Sequence, residues 1–202
     1  MRIGVDFDNT IVRYDEVFHR VALERGLITA EIPVSKGAVR DHLRRCGKED
    51  DWTAMQGYVY GQRMQDAQAF PGVLEFFRRM VSTQIPICII SHKTRYPYQG
   101  PRYDLHAAAW GWLEQQGFFD RERIGLSRNA VYLESTLADK LSRIGSVGCT
   151  HFIDDLPELL EEPGFPGQVA RLLFDPANAH AEKPLYRRVP SWAEATHELK
   201  AA

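Results

Sequence analysis

The residues best suited to chemistry in this chain form one short run, Asp6-Phe7-Asp8-Asn9-Thr10, in which two carboxylates and a hydroxyl recur at every second position. The run follows Ile3-Gly4-Val5, an apolar stretch of strand length, so the acids stand where a buried strand opens into a turn. Two other polar groups share that setting: Ser91 follows the apolar run 85–90, and Asp154-Asp155 follow the run 150–153. A fourth group, Lys140, lies in a helical stretch at 136–144 that leads back to the strand ending at Asp154. Ligands of open parallel sheets bind outside the carboxyl ends of the strands. If these strands are neighbours, widely separated residues converge on one small site. Carboxylates in such a place can act as nucleophiles or as proton donors and acceptors.

Each group alone has an ordinary structural role. Asp and Thr are common after strands as turn residues and caps, Ser91 could cap a helix, and Lys140 could be a solvated surface lysine. Asp154-Asp155 could open the helical stretch 156–160, where acids suit the helix dipole. The four groups together, in this order and strand context, resemble the haloacid dehalogenase superfamily. Its phosphatases carry D-x-D-x-T at the end of the first strand, a Ser or Thr ending a second, a Lys near a helix start and an acid pair ending a later strand. The resemblance covers most of the chain outside an insertion.

The resemblance implies a site and a reaction. Asp6 is expected to attack phosphorus and form an aspartyl-phosphate. Asp8 would protonate the leaving oxygen and then deprotonate the hydrolytic water. Thr10 would orient the loop, while Ser91 and Lys140 would hold the transferring phosphoryl oxygens. Asp6, the main-chain carbonyl of Asp8, Asp154 and Asp155 would bind Mg²⁺, a hard cation suited to carboxylate oxygens. Lys93, two residues past Ser91, rivals Lys140 as a phosphate contact. The stretch His92 to Arg102, reading HKTRYPYQGPR, is basic and rich in Pro and Tyr. His92, Lys93 and Arg95 are its candidate substrate contacts, and they suggest a second anionic group on the substrate.

The elements that must position these groups alternate strand and helix, which predicts a Rossmann-like α/β core with a parallel sheet and right-handed crossovers. Strands are expected at 3–7, 85–90, 131–133, 150–153 and 169–174, the last being the final core strand. Helices are expected at 73–80, 103–116, 136–144 and 191–200, with 103–116 assigned to the core. Between residues 14 and 69 the pattern is helical throughout: Val17, Phe18, Val21 and Ala22 mark one face, Ser35 is a plausible N-cap, and Trp52, Met55 and Val59 mark a third helix. The expected division is a core of 1–13 and 70–202 with a helical insertion of 14–69, which the resemblance identifies as a small C1-type cap. Trp52, Tyr58, Tyr60, Arg63 and Met64 are candidates for its pocket, or simply for its own core.

The 202 residues fit one α/β domain with a modest insertion, and 44% hydrophobic content suits a packed core. With 25 basic and 27 acidic side chains, no global field draws the chain to nucleic acid or anionic lipid. Cys46, Cys88 and Cys149 lie far apart, which argues against a zinc site or disulfide framework. No stretch approaches the ~20 apolar residues of a membrane span, and the N-terminal apolar run is too short for a signal peptide. The cytoplasm is the expected compartment and a small phosphorylated molecule the expected partner; the sequence leaves the oligomeric state open. A phosphomutase or phosphotransferase of the same superfamily, and a binding protein that keeps the fold without turnover, are the competing functions. Dehalogenation is disfavoured because Asp8 would have no role in it.

Overall fold

The computed structural model describes residues 1–201. In chain order its main elements are β1 (Ile3–Val5), β2 (Val12–Arg13), α1 (Asp15–Glu24), α2 (Lys36–Arg45), α3 (Glu49–Gly61), β3 (Gln68–Ala69), α4 (Val73–Ser82), β4 (Ile87–His92) and α5 (Leu105–Gln115). They continue as β5 (Val131–Glu134), α6 (Leu137–Ser146), β6 (His151–Asp154), α7 (Pro157–Leu160), β7 (Ala170–Phe174), β8 (Arg187–Val189) and α8 (Trp192–Ala201). The chain divides into two compact units, one of residues 1–11, 69–93 and 116–202, the other of 12–68 and 94–115.

The first unit is built on a six-stranded sheet in the order β5-β4-β1-β6-β7-β8, with every neighbouring pair parallel. The chain runs outward from β1 through β4 to β5, then returns to β6 on the other side of β1. That reversal opens a crevice at the carboxyl end of β1, where open α/β sheets bind ligands. Alternation along the strands supplies both faces with apolar side chains. On one face Cys88, Ile90, Phe152 and Leu173 pack with Ile144, Leu159, Leu160 and Phe165. On the other, Trp192 lies 4.7 Å from the Phe76 ring and 5.3 Å from Phe174, and Phe77 lies 5.1 Å from Phe118.

The expectation that the last core strand ends at 174 is corrected by β8, which pairs Arg187 to Val189 with Leu172 to Phe174 of β7. Arg-Arg-Val carries no apolar run, so nothing local announces a strand. It forms because the edge of β7 offers unpaired main-chain groups.

The second unit packs α1, α2 and α3 around Val17, Phe18, Val21, Val39, Leu43, Trp52, Met55 and Val59, all buried. Ser35 caps α2 as expected, its hydroxyl accepting from the Ala38 N–H at 3.3 Å. The candidate pocket residues of this unit serve its own packing. Trp52 and Met64 are buried, Tyr60 lies edge-on to Tyr14 and Phe18, and Arg63 pairs with Glu24 and Asp66. Residues 94–115, and with them α5, belong here and not with the sheet. The reason lies on α3, where Gly57 and Gly61 stand one turn apart on one face. Their missing side chains leave room for Pro97 and Tyr103, whose side chains occupy the space where a Cβ would be. Trp112 of α5 completes the joint by donating its indole N–H to the Ala67 carbonyl at 2.9 Å.

Candidate active site

The alternating acids and hydroxyl after β1 are each tied to a different part of the sheet unit. Asp6 extends β1, its N–H bonded to the Ile153 carbonyl of β6 at 2.9 Å. The chain then turns through Asn9, which adopts the left-handed conformation at φ 59°, a region asparagine tolerates better than most residues. The turn closes with the Ile11 N–H on the Phe7 carbonyl at 3.0 Å. Across it, Lys140 donates to Asp6 Oδ1 at 2.6 Å, Lys93 donates to both oxygens of Asp8 at 2.9 and 2.7 Å, and Thr10 donates to Asp155 Oδ1 at 3.2 Å.

Lys140 sits in the first turn of α6, whose start is set by Thr136 accepting from the Asp139 N–H at 3.1 Å. Its side chain is 2% exposed, and its ammonium bridges Asp6 and Asp154, reaching Asp154 Oδ2 at 2.7 Å. Asp154, the last residue of β6, is completely buried, and its other oxygen accepts from the Leu156 N–H at 2.9 Å. Asp6, Asp154 and Asp155 place one oxygen each within 4.8 Å of one another. Burial pushes the Asp6 carboxyl up to about 7; the attraction of Lys140 opposes this, and the negative charges of Asp154 and Asp8 add to it. Burial works against the Lys140 charge too, yet Asp154 and Asp6 outweigh it and hold the ammonium above the usual lysine range. One lysine therefore does not balance the acids. A buried set of carboxylate oxygens with surplus negative charge is compatible with a hard divalent cation.

Ser91 stands near the end of β4, paired in register with Leu133 of β5. It is 1% exposed, and its hydroxyl has no hydrogen-bond partner among the described residues. A buried polar atom left so costs about 1–3 kcal/mol, which suits a group reserved for a ligand. A cavity of about 270 Å³ adjoins it, lined by Asp6, Asp8, Ser91, Lys140 and Asp155 among others. Ser91→Ala is therefore expected to leave the urea midpoint unchanged or higher, while any catalytic turnover at this site falls roughly 10²- to 10³-fold. A drop in both would mean that the hydroxyl serves the fold.

The structure thus brings Asp6, Asp8, Ser91, Lys140, Asp154 and Asp155 to one end of the sheet, with Thr10 beneath. It separates the three candidate substrate contacts. His92 is exposed and lines the cavity. Lys93 is buried and held by Asp8. Arg95 lies in the helical unit, bonded to Asp104 at 3.0 Å. The side chain of Asp8 is turned to Lys93 and is absent from the carboxylate cluster. No spacing in the sequence announces the Lys93–Asp8 pair, whose members lie 85 residues apart. Leu137, Leu156, Leu159, Glu158 and Glu162 also line the cavity, and no spacing in the sequence marks them.

No family model matches the sequence, and no curated protein matches it closely enough to count as a relative. Solved structures do match in shape. The HAD-hydrolase YfnB from Bacillus subtilis, solved with magnesium, superimposes with a TM-score of 0.59 at 14% identity, covering 98% of this chain and 97% of its own. A HAD family hydrolase from Deinococcus radiodurans R1 with bound phosphate and sodium gives 0.58 at 17% identity, covering 99% and 95%. An L-2-haloacid dehalogenase from Xanthobacter autotrophicus gives 0.51 at 12%, covering 98% of each chain. The chain has the fold of the haloacid dehalogenase superfamily along nearly its whole length. No helix among the described residues is long and apolar enough to cross a membrane.

Proposed function

We propose that this chain is a Mg²⁺-dependent phosphohydrolase that acts on a small phosphomonoester through an aspartyl-phosphate on Asp6. The observation that carries this reading is the pairing of a buried carboxylate, Asp6, with a buried hydroxyl that lacks a partner, Ser91, on the wall of one cavity. An Asp6 oxygen forms a bond to phosphorus as the bond to the leaving oxygen breaks, and Asp8 supplies the proton that the leaving oxygen needs. In the second half Asp8 takes a proton from water, the water oxygen bonds to phosphorus, and the Asp6 carboxylate is released. Ser91 donates its hydroxyl hydrogen to a phosphoryl oxygen in both halves. Lys140 holds the Asp6 oxygen in place through its 2.6 Å bond and adds positive charge beside it. Mg²⁺ would be held by Asp6, Asp154, Asp155 and the Asp8 main-chain carbonyl, where it supplies counter-charge to the phosphoryl group. Dehalogenation needs no proton donor at Asp8, so the place of Asp8 in the cavity favours the phosphate ester.

The test is phosphate release from a generic aryl phosphate. Activity is expected with Mg²⁺, to vanish in excess chelator and to return on adding Mg²⁺ back. Ca²⁺ is expected to substitute poorly, because its looser and higher coordination misplaces the nucleophile. Full activity in chelator would show that the acid cluster does not hold a catalytic cation.

A further inference from the structure

Two lysines enter this site, and their partners differ. Lys140 serves the pair Asp6 and Asp154, whereas Lys93 serves Asp8. Lys93 reaches Asp8 from just past the end of β4, two residues beyond Ser91, whose hydroxyl has no partner among the described residues. Its backbone is fixed, because the Lys93 N–H donates to the Glu134 carbonyl at 2.7 Å and so carries the β4–β5 pairing past the strand end. Its side chain is 3% exposed, and the ammonium stands 5.5 Å from the centre of the Phe7 ring. A lysine placed to meet substrate would open onto the cavity. This one is buried under the loop, with its ammonium against both Asp8 oxygens.

Asp8 has reason to need such a hold. Its side chain is 20% exposed at the tip of a turn, and Asp6, Asp154 and Asp155 cluster nearby. A carboxylate free to rotate there can swing toward a cation held by that cluster and become one more ligand. It is then lost to proton transfer.

We propose that Lys93 is a positioning residue for proton transfer: by holding Asp8 it keeps that side chain out of the Asp6-Asp154-Asp155 cluster. As substrate enters, one Asp8 oxygen leaves Lys93, takes a proton from solvent and passes it to the leaving oxygen while the other oxygen stays bonded to Lys93. The inference rests on the phosphohydrolase reading. Its consequence is selective. Esters with poor leaving groups depend on Asp8 and therefore on Lys93, whereas esters with good leaving groups depend on both much less.

The experiment compares Lys93→Met and Lys93→Arg with the wild type on a simple alkyl phosphate and on p-nitrophenyl phosphate, at saturating Mg²⁺. Lys93→Met is expected to lower kcat on the alkyl ester about 10- to 10²-fold, with KM within about threefold of wild type and a several-fold smaller loss on the aryl ester. Lys93→Arg keeps the charge and two donors, and it is expected to recover most of the loss. In an Asp8→Ala background, Lys93→Met is expected to have no further effect on kcat, because the two residues act as one unit. A rise in KM with kcat preserved would overturn the proposal in favour of direct substrate contact. Equal losses on both esters that persist in the Asp8→Ala background would overturn it in favour of a purely structural role. If Lys93→Met does not fold, the alkyl-to-aryl ratio of Lys93→Gln, which also removes the charge, decides: a ratio at least as low as one-third of wild type supports the proposal, and an unchanged ratio overturns it. A wild type inert to both esters overturns the phosphohydrolase reading and this inference with it, whereas an active wild type with the wrong Lys93 result overturns the inference alone.

Discussion

Asp6→Asn is expected to abolish phosphate release, a loss on the order of 10⁴-fold or more, while the protein stays folded. The amide has nearly the shape of the carboxylate but is not an anionic nucleophile. The fold survives because Lys140 keeps Asp154 at 2.7 Å, and the amide oxygen can accept the bond that Asp6 Oδ1 accepts at 2.6 Å. The charge removed is one the fold holds at a cost, since burial first, then Asp154 and Asp8, raise the Asp6 carboxyl to about 7. An acid whose folded-state pKa is raised stabilises the fold at low pH and loses that contribution as pH rises toward the folded value. Above about pH 7 the Asn variant should therefore melt no lower than the wild type. A melting curve beside a phosphate assay checks both halves. Turnover within tenfold of wild type in a folded sample would remove Asp6 as nucleophile.

Lys140→Met is expected to have the largest effect on stability. It leaves Asp6, Asp154 and Asp155 together without the cation that bridges two of them. Breaking a buried pair on one side costs about 3–5 kcal/mol. For a chain of this size that corresponds to a fall of roughly 6–20 °C in Tm. The pH dependence has a definite sign. Lys140 is raised above the ordinary lysine range, so its contribution is fully present through neutral pH and is lost only as pH climbs past that range. In the variant the Asp6 carboxyl loses the attraction that lowers it and moves higher still, so the acids can shed their repulsion by taking up a proton. The deficit should therefore be widest near pH 8 and shrink as pH falls through 7. Added Mg²⁺ should narrow it at pH 8 by supplying the missing charge. Thermal melts at pH 5.5, 7 and 8.5, with and without MgCl₂, measure this directly. A Tm at pH 8.5 within 2 °C of wild type, without Mg²⁺, would mean that Lys140 does not hold the cluster together.

The candidate site was legible in the sequence where residue types and spacing are local. Asp6, Asp8 and Thr10 announce themselves by their spacing after an apolar run, and Ser91, Lys140 and Asp154-Asp155 by their places at strand ends or a helix start. The strands that carry them could be read for the same reason. A buried parallel strand must be apolar on both faces, and Ile87 to Ile90 or Phe152 to Ile153 cannot be mistaken for surface. Amphipathic helices such as α4 and α6 show their period for an equally local reason.

What the sequence by itself determined, then, is the elements and the residue types at their ends. Tertiary structure decided who meets whom. It recruited Arg187 to Val189 as a sixth strand, because an unpaired sheet edge makes a strand of residues that have no strand pattern. It moved α5 to the helical unit, because two glycines on α3 offered a groove that α5's own composition does not mention. It gave Lys93 to Asp8 and left Ser91 without a partner among the described residues, although the two lie only two positions apart. A periodic pattern reports how much of a segment is buried. The partner of a buried charge is fixed by contacts that span 85 residues between Asp8 and Lys93 and 134 between Asp6 and Lys140, distances over which no local period carries information.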